Sequence, residues 1–412
     1  MTSTNEIGLG VLRQPAIVYF GPGQRALLPH LVRSVGRRVL VCTDERMAGT
    51  EVFGEITAAL AADGLDVSVY ARVEPDLPRE NLTDLTTRFD GTGQDVVVGL
   101  GGGSCMDFAK VAALVLTRGG DVRDLYGENL VDGPGLPVIC VPTTGGTGAE
   151  ATCIAVVFDA DKGMKLGVAS AYLEPYAAVI DPELTLTCPP GLTAHTGADA
   201  LSHLVESFTA RAKNPDAAAI RKHLYVGKNL LADLYARNGL TLLGSALEKV
   251  AVSPEDLAAR ADTMLGAFCA GMAIGTAGTA GAHAIQSPIG GLTHTPHGLG
   301  VGALLPYVMR YNLPARQAEM AEIGRLLGAA AGDDQLAQAR AGILRVEEIL
   351  TALGVPLNLR DLGLEPGMFA FVADQAMLAT RLLANNPREL THEAVGEILR
   401  RGYAGDRGWT EF

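Results

Sequence analysis

Between residue 15 and about residue 185, short β-branched runs alternate with amphipathic stretches, and few architectures accept that rhythm. The runs are Ile17–Phe20, Arg38–Thr43, Val67–Tyr70, Asp95–Leu100, Pro137–Val141 and Ala177–Asp181, and helical spacing fills Glu45–Ala62, Arg79–Phe89 and Met106–Arg118. This alternation predicts an α/β fold whose sheet is largely parallel, with helices on both faces. The nearly unbroken apolar run at Asp95–Leu100 predicts a strand buried on both sides. After Thr187–Pro190 (TCPP) the pattern turns to Ala/Leu-rich segments with charged faces, so residues 191–412 read as all-α. Helices are predicted near Leu192–Lys213, Asp216–Arg237, Asp256–Gly275, Leu299–Asn312, Ala315–Ala330, Asp334–Leu353 and Thr391–Tyr403. Pro189 and Pro190 mark the change, because tandem prolines end a strand and cannot lie inside a helix. The division is then 1–188 and 189–412, with no internal repeat at solenoid periods.

Two glycine-rich loops follow buried strands. In Val96–Lys110 (VVVGLGGGSCMDFAK) the strand passes through Gly101, Gly102 and Gly103 into a helix that Ser104 can cap. Glycines there let the backbone approach a pyrophosphate at the positive end of the helix. The plain alternative is a tight strand-to-helix turn. The second loop, Pro142–Glu150 (PTTGGTGAE), offers the hydroxyls of Thr143, Thr144 and Thr147; its alternative is an exposed hairpin. Paired loops at neighbouring strand ends are where an open α/β sheet binds a nucleotide. Asp44, at the end of the second strand, could accept from an adenosine ribose and would repel a 2′-phosphate, which favours NAD over NADP. It could equally cap the next helix.

The all-α half holds one set of side chains able to close around a divalent metal: Asp199, His203, His283 and His297. Asp199 and His203 are i and i+4, roughly 5–6 Å apart on one helical face. His283 and His297 lie in AHAIQSPIGGLTHTPHG, where Pro296–Gly298 can turn His297 back toward His283. One oxygen and three nitrogens suit zinc or ferrous iron better than calcium or magnesium. His195 and His294 lie near these ligands and could serve the substrate, whereas His30, His223 and His392 read as surface or packing residues.

Composition excludes several partners. A formal charge of −13 with pI near 5.1 lacks the basic face that nucleic acid or an anionic membrane needs. No apolar run approaches the ~18 residues of a bilayer span. Met1–Gly10 has no export signal, and six scattered cysteines read as reduced, so the expected compartment is the cytoplasm.

These residues together resemble a known family. Gly101–Ser104 with Asp107 and Lys110, Pro142–Glu150, Gly197–Glu206 (GADALSHLVE), His283–Gly298, Leu304–Asn312 and Asn386–Thr391 look like the iron-containing (group III) alcohol dehydrogenases. The resemblance implies a dehydroquinate synthase-like architecture: a dinucleotide-binding α/β domain, an all-α metal-binding domain and an active site between them. It assigns Asp199, His203, His283 and His297 to iron or zinc, and Gly101–Ser104 with Asp107 to the pyrophosphate side. Thr143, Thr144 and Thr147 go to the nucleotide, Asp44 to the ribose, and Lys165 to the neighbourhood of the nicotinamide ribose. It implies hydride transfer between NAD(P) and a small alcohol or aldehyde, in a homodimer or larger assembly. The reacting positions are then His283, His297, Ser287 and His294. Ser287 stands where many members carry a second histidine, so a proton relay there must use Ser287 or His294 instead. The competing readings are a maleylacetate-type reductase without metal, a dehydroquinate synthase-like lyase and an NAD-sensing regulator.

Overall fold

The computed structural model describes residues 10–89 and 91–409; the export-signal reading of Met1–Leu9 lies outside them. The strands are β1 (Ile17–Phe20), β2 (Arg38–Cys42), β3 (Asp66–Tyr70), β4 (Val96–Gly101), β5 (Gly127–Glu128), β6 (Val138–Pro142), β7 (Ile154–Asp159), β8 (Met164–Ala169) and β9 (Ala177–Ile180). Among them run α1 (Leu28–Val35), α2 (Glu45–Ala48), α3 (Glu51–Ala62), α4 (Arg79–Phe89) and α5 (Gly103–Arg118). Then follow α6 (Pro190–Thr209), α7 (Ala217–Lys222), α8 (Leu230–Val252), α9 (Leu257–Ala277), α10 (Gly281–Thr293) and α11 (His297–Asn312). The chain ends with α12 (Gln317–Leu326), α13 (Gln335–Ala352), α14 (Phe369–Ala376), α15 (Thr380–Asn385) and α16 (His392–Ala404). Among the described residues no strand follows β9.

Six strands form one parallel sheet in the order β1-β9-β6-β4-β2-β3. Alternate side chains feed two cores, as the period of a strand requires. Leu40, Val97 and Cys140 meet Met106 and Phe108 of α5 on one face, while Val39, Val41 and Val98 meet α1 and α3 on the other. From β2 the chain moves outward to β3, then returns to β4 and continues through β6 to β9. Strand order therefore reverses between β2 and β4 and opens a crevice beyond their carboxyl ends.

A second sheet, β5-β8-β7, contains an antiparallel β7–β8 hairpin that the alternation does not predict. The predicted helix Glu45–Ala62 is two helices, since Thr50 accepts from Phe53 N at 3.3 Å and starts α3 afresh. Asp216–Arg237 likewise divides, with Asn229 capping α8 through Leu231 N and Ala232 N. The sequence pattern does not anticipate α1, α10, α14 or α15.

The helical half is built around one apolar cluster. Met264, Phe268 and Met272 of α9 meet Ala151, Ala178 and Ile180, joining the halves. By length and composition α9 could cross a membrane, with mean hydropathy 1.2 over its window, which corrects the expectation that no run approaches that length. Some 61% of that window is buried, against α6, α8 and the α/β half.

Candidate active site

The first loop stands at the crevice. Gly101 ends β4 at φ +153°, where a Cβ would lie 2.5 Å from Cys105 Sγ, so no other residue fits without displacement. Gly102 is the N-cap of α5 and no side chain caps that end; Ser104 lies inside the first turn, contrary to its predicted capping role. The uncapped helix start is a ready anion site. Asp44 does cap α2, with Oδ1 accepting from Met47 N at 2.7 Å. Its Oδ2 stands 3.6 Å from Cys105 Sγ, on the side of the first loop.

The second loop is bound to the first, because Thr143 N donates to Gly101 O at 2.9 Å. Thr143 is 1% exposed and its hydroxyl has no partner, while Thr147 Oγ1 accepts from Ala149 N at 3.2 Å. Packing explains part of this loop's glycine content. Gly148, at φ +63°, lies so close to α9 that a Cβ would stand 2.5 Å from Gly271 Cα. The same loop that is tied to Gly101 thus also makes a contact of the helical half.

Across the crevice, α6 presents Asp199, His203 and Glu206 at i, i+4 and i+7, one helical face. His283 comes from the first turn of α10 and His297 opens α11. Between them His294 takes a left-handed conformation (φ 55°) and Pro296 caps α11, which is the turn that brings His297 back. Gly298 lets α11 approach, since a Cβ there would collide with the His195 carbonyl oxygen of α6. Asp199 Oδ1 lies 3.5 Å from His203 Nε2, 3.6 Å from His283 Nε2 and 3.7 Å from His297 Nε2. Donors about 2.1 Å from a tetrahedral centre stand about 3.4 Å apart, so each distance to Asp199 suits a shared ion, although His203 falls outside the set whose donor atoms all lie close to one another. Asp199, His283 and His297 offer donor atoms all within 4.8 Å of one another.

Electrostatics supports the same fit. Asp199 Oδ1 and His283 Nε2 are buried without any hydrogen-bond partner. Burial opposes the Asp199 charge, yet His203, His297 and His283 outweigh it and hold the carboxyl well below its usual range. Burial pulls His203 down despite Asp199, and pulls His297 down to about 4, with Lys165 among the charges adding to the effect. His297 is the open side of the set, with 36% of its side chain accessible.

Glu206 was not predicted as a site residue. Its Oε2 accepts from His283 Nδ1 at 2.6 Å and from Ala280 N at 2.8 Å, and its Oε1 accepts from Ala282 N at 2.6 Å. A carboxylate can only accept, so Nδ1 carries a proton, and Nε2 is the ring atom that would ligate an ion. Burial disfavours the Glu206 charge, but His283 and the two amides hold it below the usual range. Burial would likewise lower His283, yet Glu206 and Asp199 push it up to about 9. Two buried carboxylates beside His203 and His297, both held neutral by burial, suit a cation, which at His283 would replace a proton.

The other predicted residues surround this centre unevenly. Lys165 on β8 pairs with Asp76 at 2.6 Å. Ser287 is exposed, one turn along α10 from His283. His294 is exposed too, but eleven residues of helical rise separate its Cα from that of His283 by roughly 16 Å. His195 is half-buried on α6, and burial lowers its proton affinity. Asp107 faces other partners: Oδ2 accepts from Val156 N at 3.0 Å and Oδ1 pairs with Lys110.

Comparison with known proteins identifies the family. The profile of the family "Iron-containing alcohol dehydrogenase" matches residues 15–182, and "Fe-containing alcohol dehydrogenase family, C-terminal" matches 193–403. The chain is 33% identical to long-chain-alcohol dehydrogenase 1 of Geobacillus thermodenitrificans (strain NG80-2), covering 92% of this chain and 93% of that one. It is 30% identical to the NAD-dependent methanol dehydrogenase of Bacillus methanolicus, covering 88% and 92%. The crystal structure of a 1,3-propanediol oxidoreductase superposes with a TM-score of 0.89 at 28% identity, covering 96% and 100%. These relatives favour alcohol dehydrogenation over the maleylacetate-type and dehydroquinate synthase-like readings. The chain is a metal-dependent, NAD-linked alcohol dehydrogenase and belongs to the iron-containing alcohol dehydrogenase family.

Proposed function

We propose that Asp199, His203, His283 and His297 together hold one divalent ion, iron or zinc. NAD, in preference to NADP, lies over Gly101–Ser104, Thr143, Thr144 and Thr147, with Asp107 supporting the first loop from behind. The substrate is a small alcohol or aldehyde. The observation that carries this reading is the pair of buried, unpartnered atoms, Asp199 Oδ1 and His283 Nε2, facing one another at 3.6 Å. Such atoms cost too much to leave unmatched unless something binds between them. Asp44 supports the choice of NAD, since its carboxylate would repel a 2′-phosphate.

When bound, the ion supplies Lewis acidity toward the substrate oxygen and the nicotinamide accepts or donates hydride. The residues do the rest by position. Glu206 keeps the proton on His283 Nδ1. Lys165, paired with Asp76, sits beside the nicotinamide ribose. Ser287, one turn from His283, passes the substrate proton toward solvent, and His294 acts farther out at the mouth.

Two domains, 1–188 and 189–412, a homodimer or larger assembly and a cytoplasmic compartment complete the proposal. The last is supported by six unpaired, buried cysteines. The test is NADH and NADPH oxidation with aldehydes of graded size, before and after chelation. Activity should vanish on chelation, return with Fe2+ or Zn2+, and prefer NADH. Persistence in metal-free protein would refute the four-donor assignment, and equal use of NADPH would refute that of Asp44.

A further inference from the structure

Lys110 is 1% exposed, an ammonium enclosed two turns into the helix that the first glycine loop opens. Its Nζ donates to Thr152 Oγ1 at 3.1 Å and to Ile154 O at 2.9 Å, and pairs with Asp107 Oδ1 at 3.5 Å. One turn nearer the glycines, Asp107 accepts from Val156 N at 3.0 Å. These partners, Thr152, Ile154 and Val156, are the stretch through which the second loop runs into β7. Strand β7 pairs with β8, and β8 carries Lys165. A buried ammonium stripped of partners is costly, so the three contacts persist together. The neighbouring carboxyls Glu150 and Glu174 are also enclosed, and burial pushes both up to about 7, so neither offers Lys110 a full counter-charge.

We infer that Lys110 is a positioning residue for the dinucleotide: without touching it, the ammonium fixes the second loop and the β7–β8 hairpin against the first loop. This rests on the proposal that the two loops hold NAD. Metal and coenzyme responses then separate, because no metal donor lies on α5, β7 or β8.

The experiment measures the NADH dissociation constant of metal-loaded enzyme from nicotinamide fluorescence, alongside metal content, thermal midpoint and steady-state constants. Lys110→Met should weaken NADH about tenfold or more, as loss of a charged hydrogen-bonding group does. The loss should fall on KM for NADH rather than on kcat, with bound metal as in the parent. Thr152→Val removes one acceptor and should weaken NADH about threefold. Combining Lys110→Met with Asp107→Asn should cost less than the two separately, since they act as one joint. A folded Lys110→Met variant that binds NADH like the parent overturns the inference, as does one that loses metal and NADH in parallel. Should Lys110→Met not fold, unchanged NADH binding by Thr152→Val overturns it. A parent enzyme that binds no NADH refutes the nucleotide reading itself, and this inference with it.

Discussion

Glu206 joins His283 to a helix end. Because one carboxylate both orients His283 and caps α10, changing it should disturb the ion before the fold. Glu206→Gln is expected to weaken metal affinity about 10- to 100-fold, read by competition with a calibrated chelator. Glu174 offers the opposite lesson, a buried carboxyl whose oxygens have no partner. Burial raises it from 4.5 to about 7. Its folded value exceeds its unfolded one, so it leaves stability untouched below pH 4.5 and weakens the fold progressively as pH rises through 7. Glu174→Gln should therefore raise the thermal midpoint at pH 8 and leave it nearly unchanged at pH 5, measured by scanning calorimetry. Sequence made the cluster of Asp199 and the three histidines legible because an Asp and a His at i, i+4 and two more histidines are a chemically narrow set. Glu206 was not legible as a site residue, since its partners, the amides of Ala280 and Ala282, arrive from 74 or more residues away. Ser104 misled because Gly102, two residues before it, occupies the N-cap.

At the scale of elements, the contact between α6 and α11 places His297. Gly298→Ala puts a methyl group against the His195 carbonyl and 2.9 Å from Asp199 Cβ, so α11 must move away. The expected result is substoichiometric metal with helicity retained, checked by elemental analysis beside far-ultraviolet circular dichroism. Strands of the large sheet were legible because β-branched runs buried on both faces stand out from their surroundings. Helix α10 was not: Gly281, Pro288, Gly290 and Gly291 give it poor intrinsic propensity, and it forms because Glu206 caps its start and the helical core takes Ile285 and Ile289. Breaks such as Gly49–Thr50 escaped notice because capping by Thr50 is a matter of one hydrogen bond.

For the whole molecule, removing the ion leaves two carboxylates and three imidazoles enclosed in the helical half. Stability should then depend on free metal, gaining about 2.7 kcal/mol at a hundredfold excess over the dissociation constant. Thermal scans across buffered Fe2+ or Zn2+ concentrations check this, and a midpoint indifferent to metal would contradict it. The two-part plan was legible from the change in periodicity at Thr187–Pro190. The way the parts meet was not, because it depends on Gly148 and Gly271 fitting together and on α9 packing against Ala178 and Ile180. That junction has a consequence for how the enzyme is loaded. On the proposed assignment the peptide around Gly148 lies under the coenzyme and packs on the bundle that would hold the metal, so the two guests should sense one another. By thermodynamic reciprocity, whatever factor one guest imposes on the other's affinity is returned in equal measure.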